Sequence, residues 1–288
     1  MKHAITTVTS CSIPASISAG ADGTIGSLST TPTAARETKG RVQRFWEDEP
    51  CGSAHAHAVE GTPEFFEQVE RARAELDPQI VDFANFAGSH GKQVLEIGVG
   101  LGSDLIRFAR AGAEVTGIDL TEHAVQLVRR RLELEGLDGN VQAADAENLP
   151  FTDASFDLVY SWGVLHHTPD TERAVREAIR VVRPGGELCV MLYARHSWVS
   201  YGMWVRHALL AGRPWRSLRT VLAAHMESEG TKGYTEREVR DLFSGLDDIR
   251  VTKVGTTYDR QIAGPLARLS GDRLGWNLVV RGRRSESR

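Results

Sequence analysis

The chain has 288 residues, 41% of them hydrophobic and 25% charged, which is enough to bury the core of one α/β domain with additions. A formal net charge of -4 lacks the basic excess of a protein that lives on nucleic acid, and no apolar run approaches the ~20 residues that span a bilayer. Cys11, Cys51 and Cys189 are odd in number and far apart, a poor disulfide framework that suits a reducing compartment. Between Met1 and Gly20, Thr, Ser and Pro interrupt every apolar stretch, so neither export nor a membrane is expected and the location reads as cytoplasmic.

Residues 1–40 are rich in Ser, Thr, Ala and Gly and carry too few large apolar groups to offset ordering entropy, so a disordered tail is expected. Order is expected from Arg41 onward, with Val42, Phe45 and Trp46, followed by a Pro-Cys-Gly turn. Helices are predicted from Pro63 to about Ala74 and from Pro78 to Phe86. From Lys92, apolar runs alternate with helical patterns, the signature of a parallel sheet with crossover helices. Strands are predicted over Gln93 to Ile97, Glu114 to Asp119, Asn140 to Ala144, Phe156 to Trp162 and Glu187 to Tyr193. Helices fall over Leu101 to Ala111, Thr121 to Glu135 and Thr171 to Val182, and Pro184-Gly185-Gly186 reads as the turn before the fifth strand.

After the fifth strand the alternation breaks. Residues 197–229 read as a helical insertion carrying Trp198, Tyr201, Met203, Trp204 and Trp215 among several arginines. Thr235 to Ser244 then reads as a helix opened by a capping box. Ile249 to Val254 and Asn277 to Arg281 are the closing strands, separated by a predicted long loop from Gly255 to Gly275.

The chemistry concentrates between the first and fourth strands. Glu96 ends a buried strand, and Gly98, Gly100 and Gly102 follow in the turn to a helix. Glycines at this place let the backbone approach a ligand, and the helix start presents free N-H groups. A dinucleotide fingerprint wants its third glycine where Ser103 stands, and a pyrophosphate has no use for Glu96. A carboxylate just before the glycines suits a ligand ammonium instead. Asp119, about twenty residues beyond Gly98, is placed to accept both ribose hydroxyls of an adenosine, with capping of the helix at Thr121 as the alternative. Asp145 is a candidate acceptor for the adenine amine, with a plain loop aspartate as the alternative.

Glu96-x-Gly98-x-Gly100-x-Gly102, Gly117-Ile118-Asp119, Asp145-Ala146-Glu147-Asn148-Leu149-Pro150-Phe151, Ser155-Phe156-Asp157-Leu158-Val159 and Arg183-Pro184-Gly185-Gly186 occur in that order. Over residues 92–193 this series resembles the class I S-adenosylmethionine-dependent methyltransferases, and Leu165-His166-His167 resembles the group that includes the ubiquinone/menaquinone-type enzymes. The resemblance implies a Rossmann-like, seven-stranded, mostly parallel sheet with one antiparallel strand, helices on both faces and the insertion after the fifth strand. It implies contacts to S-adenosyl-L-methionine from Glu96, Gly98, Asp119, Leu120, Asp145, Ala146 and the backbone near Trp162. It also implies that 92–288 is the methyltransferase domain; 41–91, with Trp46, is expected to be a helical lid over the cofactor site, with a surface helix packing its aromatics on the sheet as the alternative.

Methyl transfer asks the protein mainly for alignment and exclusion of water. His166 and His167 follow the fourth strand on the ligand-binding rim, and His167 is the candidate proton acceptor if the acceptor must lose a proton, with packing or cofactor contact as the alternative. Trp46, Tyr193, Trp204, Tyr234 and Tyr258 are candidate acceptor-site residues. Cys51, His55 and His57 have metal-ligand side chains but no fourth partner, so no metal is expected. The expected activity is methylation of O, N or C on a small metabolite. A non-catalytic cofactor-binding regulator and an RNA methyltransferase are the alternatives. Ser161-Trp162-Gly163-Val164 lacks the Asn/Asp-Pro-Pro-aromatic pattern of many amino-methylating enzymes, so a nucleic-acid partner is not expected. A homodimer stays open.

Overall fold

A computed structural model describes residues 32–286. Its sheet follows the order β3-β2-β1-β4-β5-β8-β7. The strands are β1 (Gln93–Ile97), β2 (Glu114–Asp119), β3 (Asn140–Ala143), β4 (Phe156–Trp162), β5 (Val182–Ala194), β7 (Asp247–Val254) and β8 (Asn277–Arg283), and the two-residue β6 (Gly233–Tyr234) pairs with the end of β5. β1 to β5 run parallel, and β8 lies antiparallel between β5 and β7. The chain order reverses between β1 and β4, the switch point outside which doubly wound sheets bind ligands.

Side chains alternate across the strands with period two. Leu95, Ile97, Val159, Val190 and Leu192 face α6 (Thr171–Val181) and α9 (Glu236–Leu242), where Ala174, Ala178, Val239 and Phe243 complete a buried layer. On the other face, Val94, Leu158, Tyr160, Met191 and Tyr193 pack with α3 (Ile80–Ala84), α4 (Ser103–Arg110) and α5 (Glu122–Glu135) through Ile80, Leu105, Phe108, Val125 and Val128. The same alternation puts Glu96 and Trp162 on this second face. Arg131 on α5, 1% exposed, pairs with Glu70 of α2 (Pro63–Leu76) at 2.5 Å and with Glu135 at 3.1 Å, joining the amino-terminal segment to the sheet layer.

Four expectations need correction. Helix α1 spans Pro32–Asp48, so order reaches into the segment read as a tail; residues 1–31 lie outside the described residues. Proline at a first helical position and the run Ala-Ala-Arg-Glu favour that start, and Val42, 4% exposed, gives the helix a buried anchor. Pro184-Gly185-Gly186 is no turn before β5. The strand runs through it, and a register irregularity between Phe156 and Leu158 takes up the extra residues, with Gly185 at φ 76°. The stretch from Gly255 to Gly275 is helical, holding α10 (Thr257–Ala263) and α11 (Pro265–Ser270). Its start signal is a capping box between Thr256 and Asp259. The predicted helix from Pro78 to Phe86 divides into α3 and a 3-10 turn at Phe86–Ser89, because Asn85 adopts φ 50°.

The insertion consists of α7 (Trp198–Trp204), a π-helical continuation at Val205–Leu209 and α8 (Leu218–His225). Val199, Met203, Val221 and Leu222 are buried against the sheet face that carries Tyr193. Thr235 and Glu238 form the predicted capping box of α9.

Candidate active site

A cavity of about 1370 Å³, open to solvent, lies at the carboxyl ends of β1, β2, β3 and β4. Its floor is the turn from β1 to α4. Gly98, Gly100 and Gly102 hold φ of 80°, 49° and 75°, a region that disfavours other residues. A Cβ on Gly98 would stand 2.2 Å from Val164 Cγ2, so the close approach of this turn to the loop after β4 requires glycine. Gly98 and Gly100 line the cavity. Gly102 does not; it packs over Val128 at the start of α4.

Polar groups without partners point into this space. Glu96 is 4% exposed and its Oε2 accepts no hydrogen bond; burial, reinforced by Asp104, pushes its carboxyl well above the usual range while Arg73 opposes the shift. Arg73 of α2 donates to Asp104 Oδ2 at 2.7 Å and pairs with Asp77 at 3.4 Å, yet its Nε and Asp104 Oδ1 are unsatisfied. Tyr160 also donates to Asp104, at 3.0 Å. Buried polar atoms are normally satisfied, so a carboxylate, a guanidinium edge and a second carboxylate left open around one cavity indicate a ligand with ammonium and carboxylate groups. An amino-acid moiety fits that donor set.

Asp119 ends β2 on the cavity wall. Its Oδ2 accepts from Gly100 N at 3.0 Å and its Oδ1 from Thr121 N and Oγ1 at 3.0 and 2.9 Å, while burial pushes its carboxyl up. The glycine turn and the second strand are thereby tied together through one carboxylate on the cavity wall. Leu120 and Ala146 flank it. Asp145 lies in the wall too, but Lys39 of α1 reaches it at 2.5 Å and Glu147 at 2.5 Å. Helix α1 crosses the cavity, contributing Lys39, Val42 and Trp46 to its lining, and Gln43 donates to Leu120 O at 3.1 Å.

Beside this cavity lies a much smaller one that shares Trp46, Cys51, Arg73, Trp162 and His167 with it. Its remaining wall combines aromatic Tyr193 and Trp276, stacked at 4.2 Å, and Tyr258 with Met191, Thr256 and Asn277. Glu227, 3% exposed, faces it. His167 meets Trp46 edge-on at 5.4 Å, and its Nδ1 is shared by the hydroxyls of Ser228 at 2.8 Å and Thr231 at 2.9 Å. Burial, with Lys232 nearby, pushes His167 down to about 3, so it is neutral at physiological pH.

Of the residues singled out in the sequence, Glu96, Gly98, Gly100, Asp119, Leu120, Asp145, Ala146, Trp162, Trp46 and His167 line the large cavity, and Tyr193 and Tyr258 line its neighbour. His166 lines neither; it is fully buried, its ring 3.9 Å from that of Tyr193. Trp204 lies apart, donating to Arg216 O at 2.7 Å, and Tyr234 is half-buried in β6. Arg73, Asp77, Asp104, Trp276 and Glu227 were missed. Arg73 and Asp104 sit on helices with no motif of their own, and Trp276 and Glu227 reach the site only through the tertiary fold.

Residues 95–190 match the family described as a methyltransferase domain. An uncharacterized protein of Mycobacterium tuberculosis is 33% identical over 204 residues, 71% of each chain. A 27-O-demethylrifamycin SV methyltransferase of Amycolatopsis mediterranei is 43% identical over 103 residues, 35% of this chain and 38% of its own length. A phthiotriol/phenolphthiotriol dimycocerosates methyltransferase of M. tuberculosis is 43% identical over 98 residues, 33% of this chain and 36% of its own length. The chain thus spans well under half the length of these two characterised relatives. In fold, it superposes on a SAM-dependent methyltransferase of Thermotoga maritima with a TM-score of 0.52 at 21% identity, covering 85% of this chain and all of that one. The [4+2]-cyclase SpnF gives 0.53 at 17% identity over 87% of this chain and 94% of its own. With the glycine turn, Glu96 and Asp119 placed as the motif series requires, the chain belongs to the class I S-adenosylmethionine-dependent methyltransferases.

Proposed function

We propose that this protein methylates a small metabolite, binding S-adenosyl-L-methionine in the large cavity and the acceptor in the aromatic chamber beside it. The observation that carries the reading is the continuity of the two cavities through Trp46, Trp162 and His167, with the orphaned polar atoms of Glu96 and Arg73 on the cofactor side. Glu96 accepts from the amino-acid ammonium and Arg73 holds the carboxylate. Asp119 accepts from the ribose hydroxyls, and Asp145 serves the adenine edge once Lys39 yields it. The cofactor supplies an activated methyl group with a good leaving group. The chain therefore has to align the acceptor, exclude water and provide a place for a proton.

His167, held by two hydroxyls and depressed by burial, is a weak base and serves as a positioning wall. Trp46 on α1 closes the chamber as a lid. The relatives named for a rifamycin and for dimycocerosates support a metabolite acceptor, and Leu165-His166-His167 supports the finer likeness to the ubiquinone/menaquinone-type group. A cytoplasmic enzyme acting on neither nucleic acid nor membrane agrees with the mild negative charge and with the lack, among the described residues, of a helix long and apolar enough to cross a bilayer.

The test is incubation of the purified protein with methyl-labelled cofactor and metabolite extract, followed by mass spectrometry. A low-mass product gaining one labelled methyl group is the expected result. Label confined to RNA or protein, or no transfer despite cofactor binding, overturns the reading.

A further inference from the structure

The smaller cavity contains a group that the family motifs do not assign. Glu227 follows α8 in the insertion and reaches the chamber floor, 3% exposed. Tyr193 Oη donates to its Oε1 at 3.2 Å, and its Oε2 has no partner. Asp77, the other carboxyl on this cavity, is engaged by Arg73 at 3.4 Å and Gln79 at 2.9 Å. Among the described residues no ion pair reaches Glu227. An unpaired carboxyl so deeply buried is costly to the fold, which makes it a candidate for function rather than scaffold.

Resting on the proposed methyl transfer, we infer that Glu227 is the catalytic proton acceptor and that the acceptor is an acidic hydroxyl, a phenol or enol, carried on a flat ring. Tyr193, Trp276, Trp46 and Trp162 line the chamber, and aromatic walls suit a planar apolar body. The need for a base decides between a hydroxyl and an amine. A neutral amine attacks through its own lone pair, whereas a hydroxyl becomes a good nucleophile only as it gives up its proton to a base held beside it. In the transfer the acceptor oxygen gives its proton to Glu227 Oε2 and forms one bond to the methyl carbon. The electron pair of the broken carbon-sulfur bond stays on sulfur. The products are a methyl ether, a neutral thioether and a protonated Glu227, which returns its proton to solvent.

Burial pushes the Glu227 carboxyl up to about 7, with the Tyr193 hydrogen bond opposing, so it is a stronger base than an exposed glutamate. The other ionisable groups facing this cavity are Cys51, Arg73, Asp77, His167, Tyr193 and Tyr258. His167 is depressed to about 3 while burial also pushes Asp77 up, so the Glu227→Gln and Tyr193→Phe variants assign the limb.

The experiment uses 2-naphthol and the cationic 2-naphthylmethylamine as probes. Binding to the full-length protein with S-adenosylhomocysteine present is followed by calorimetry and by naphtholate absorbance, and turnover by transfer from labelled cofactor. The expected result is binding and O-methylation of 2-naphthol alone, with kcat/KM rising as pH passes through about 7. Glu227→Gln is expected to lose the pH limb and at least about 100-fold in kcat, with cofactor affinity unchanged. Tyr193→Phe keeps the carboxyl but removes a hydrogen bond to its charged form, so the limb moves to higher pH; this variant covers the case in which Glu227→Gln fails to fold. Normal cofactor binding with preference for the amine, with no binding of 2-naphthol, or with an unmoved limb in both variants overturns the inference. Loss of cofactor binding in the wild type would instead count against the methyltransferase reading.

Discussion

At the residue scale, the adjacent His166 and His167 have different surroundings. His166 is fully buried with neither ring nitrogen partnered, and burial pushes it well below its ordinary value. His167 lines the site but is likewise depressed, to about 3. Both stay neutral in the folded protein where the unfolded chain takes up protons, so stability is present above about 6.5 and is lost as pH falls toward 3. For His167 the loss is on the order of 3 kcal/mol by pH 4.5. The raised carboxyls of Glu96, Asp119 and Glu227 act in the opposite sense, so the comparison is made against a variant. Thermal melts at pH 7 and 4.5 should show the wild type losing more stability than His167→Gln; parallel losses would show that His167 does not titrate as its burial requires. From sequence alone the pair stood on the ligand rim. Their burial was hidden, because Ser228, Thr231 and Lys232, which surround His167, come from a segment some sixty residues later.

At the element scale, the parallel strands and crossover helices were legible because hydrophobic periodicity and glycine turns are local signals. The misreadings occur where tertiary contact decides. Helix α1 has no strong apolar stripe; it is held by Val42, by half-buried pairs from Lys39 to Asp145 and Glu147 in the loop after β3, and by Glu47 Oε1 accepting from His123 N of α5 at 3.1 Å. The exposed Arg41–Glu229 pair is of the kind that contributes little, typically about 0.2 to 1 kcal/mol. If it is the lid, cofactor and α1 stabilise each other. Tryptic cleavage at Arg41 and Arg44 should slow severalfold with S-adenosylhomocysteine, and Trp46→Ala should remove the protection. Equal cleavage with and without ligand would show that α1 does not close over the site. The helices α10 and α11 were read as a loop because their stretch is glycine-rich. Their start is fixed by Asp259, whose Oδ2 accepts from both Thr256 N at 2.8 Å and Trp276 N at 2.9 Å, a link across 17 residues. That link also positions Trp276 in the wall of the smaller cavity.

At the scale of the whole molecule, the strand order creates the crevice between β1 and β4, and the motif-bearing turns all end on its rim. That part of the site was readable because glycine spacing and strand-end carboxylates are consequences of the fold's local geometry. The smaller cavity, where the acceptor is proposed to bind, was not, since it is assembled from α1, β5, the insertion and α10, elements that share no motif. The fold itself serves a cyclase as well as methyltransferases, so the chemistry rests on Glu96, Asp119 and the glycine turn rather than on architecture. Calorimetric titration of S-adenosyl-L-methionine and S-adenosylhomocysteine into the intact protein tests that claim most directly. The account predicts one-to-one binding of both, weakened at least about tenfold by Asp119→Ala or Glu96→Gln, each of which removes a charge-assisted hydrogen bond to the ligand. Absence of binding to either compound, or affinities untouched by both substitutions in folded protein, would contradict it.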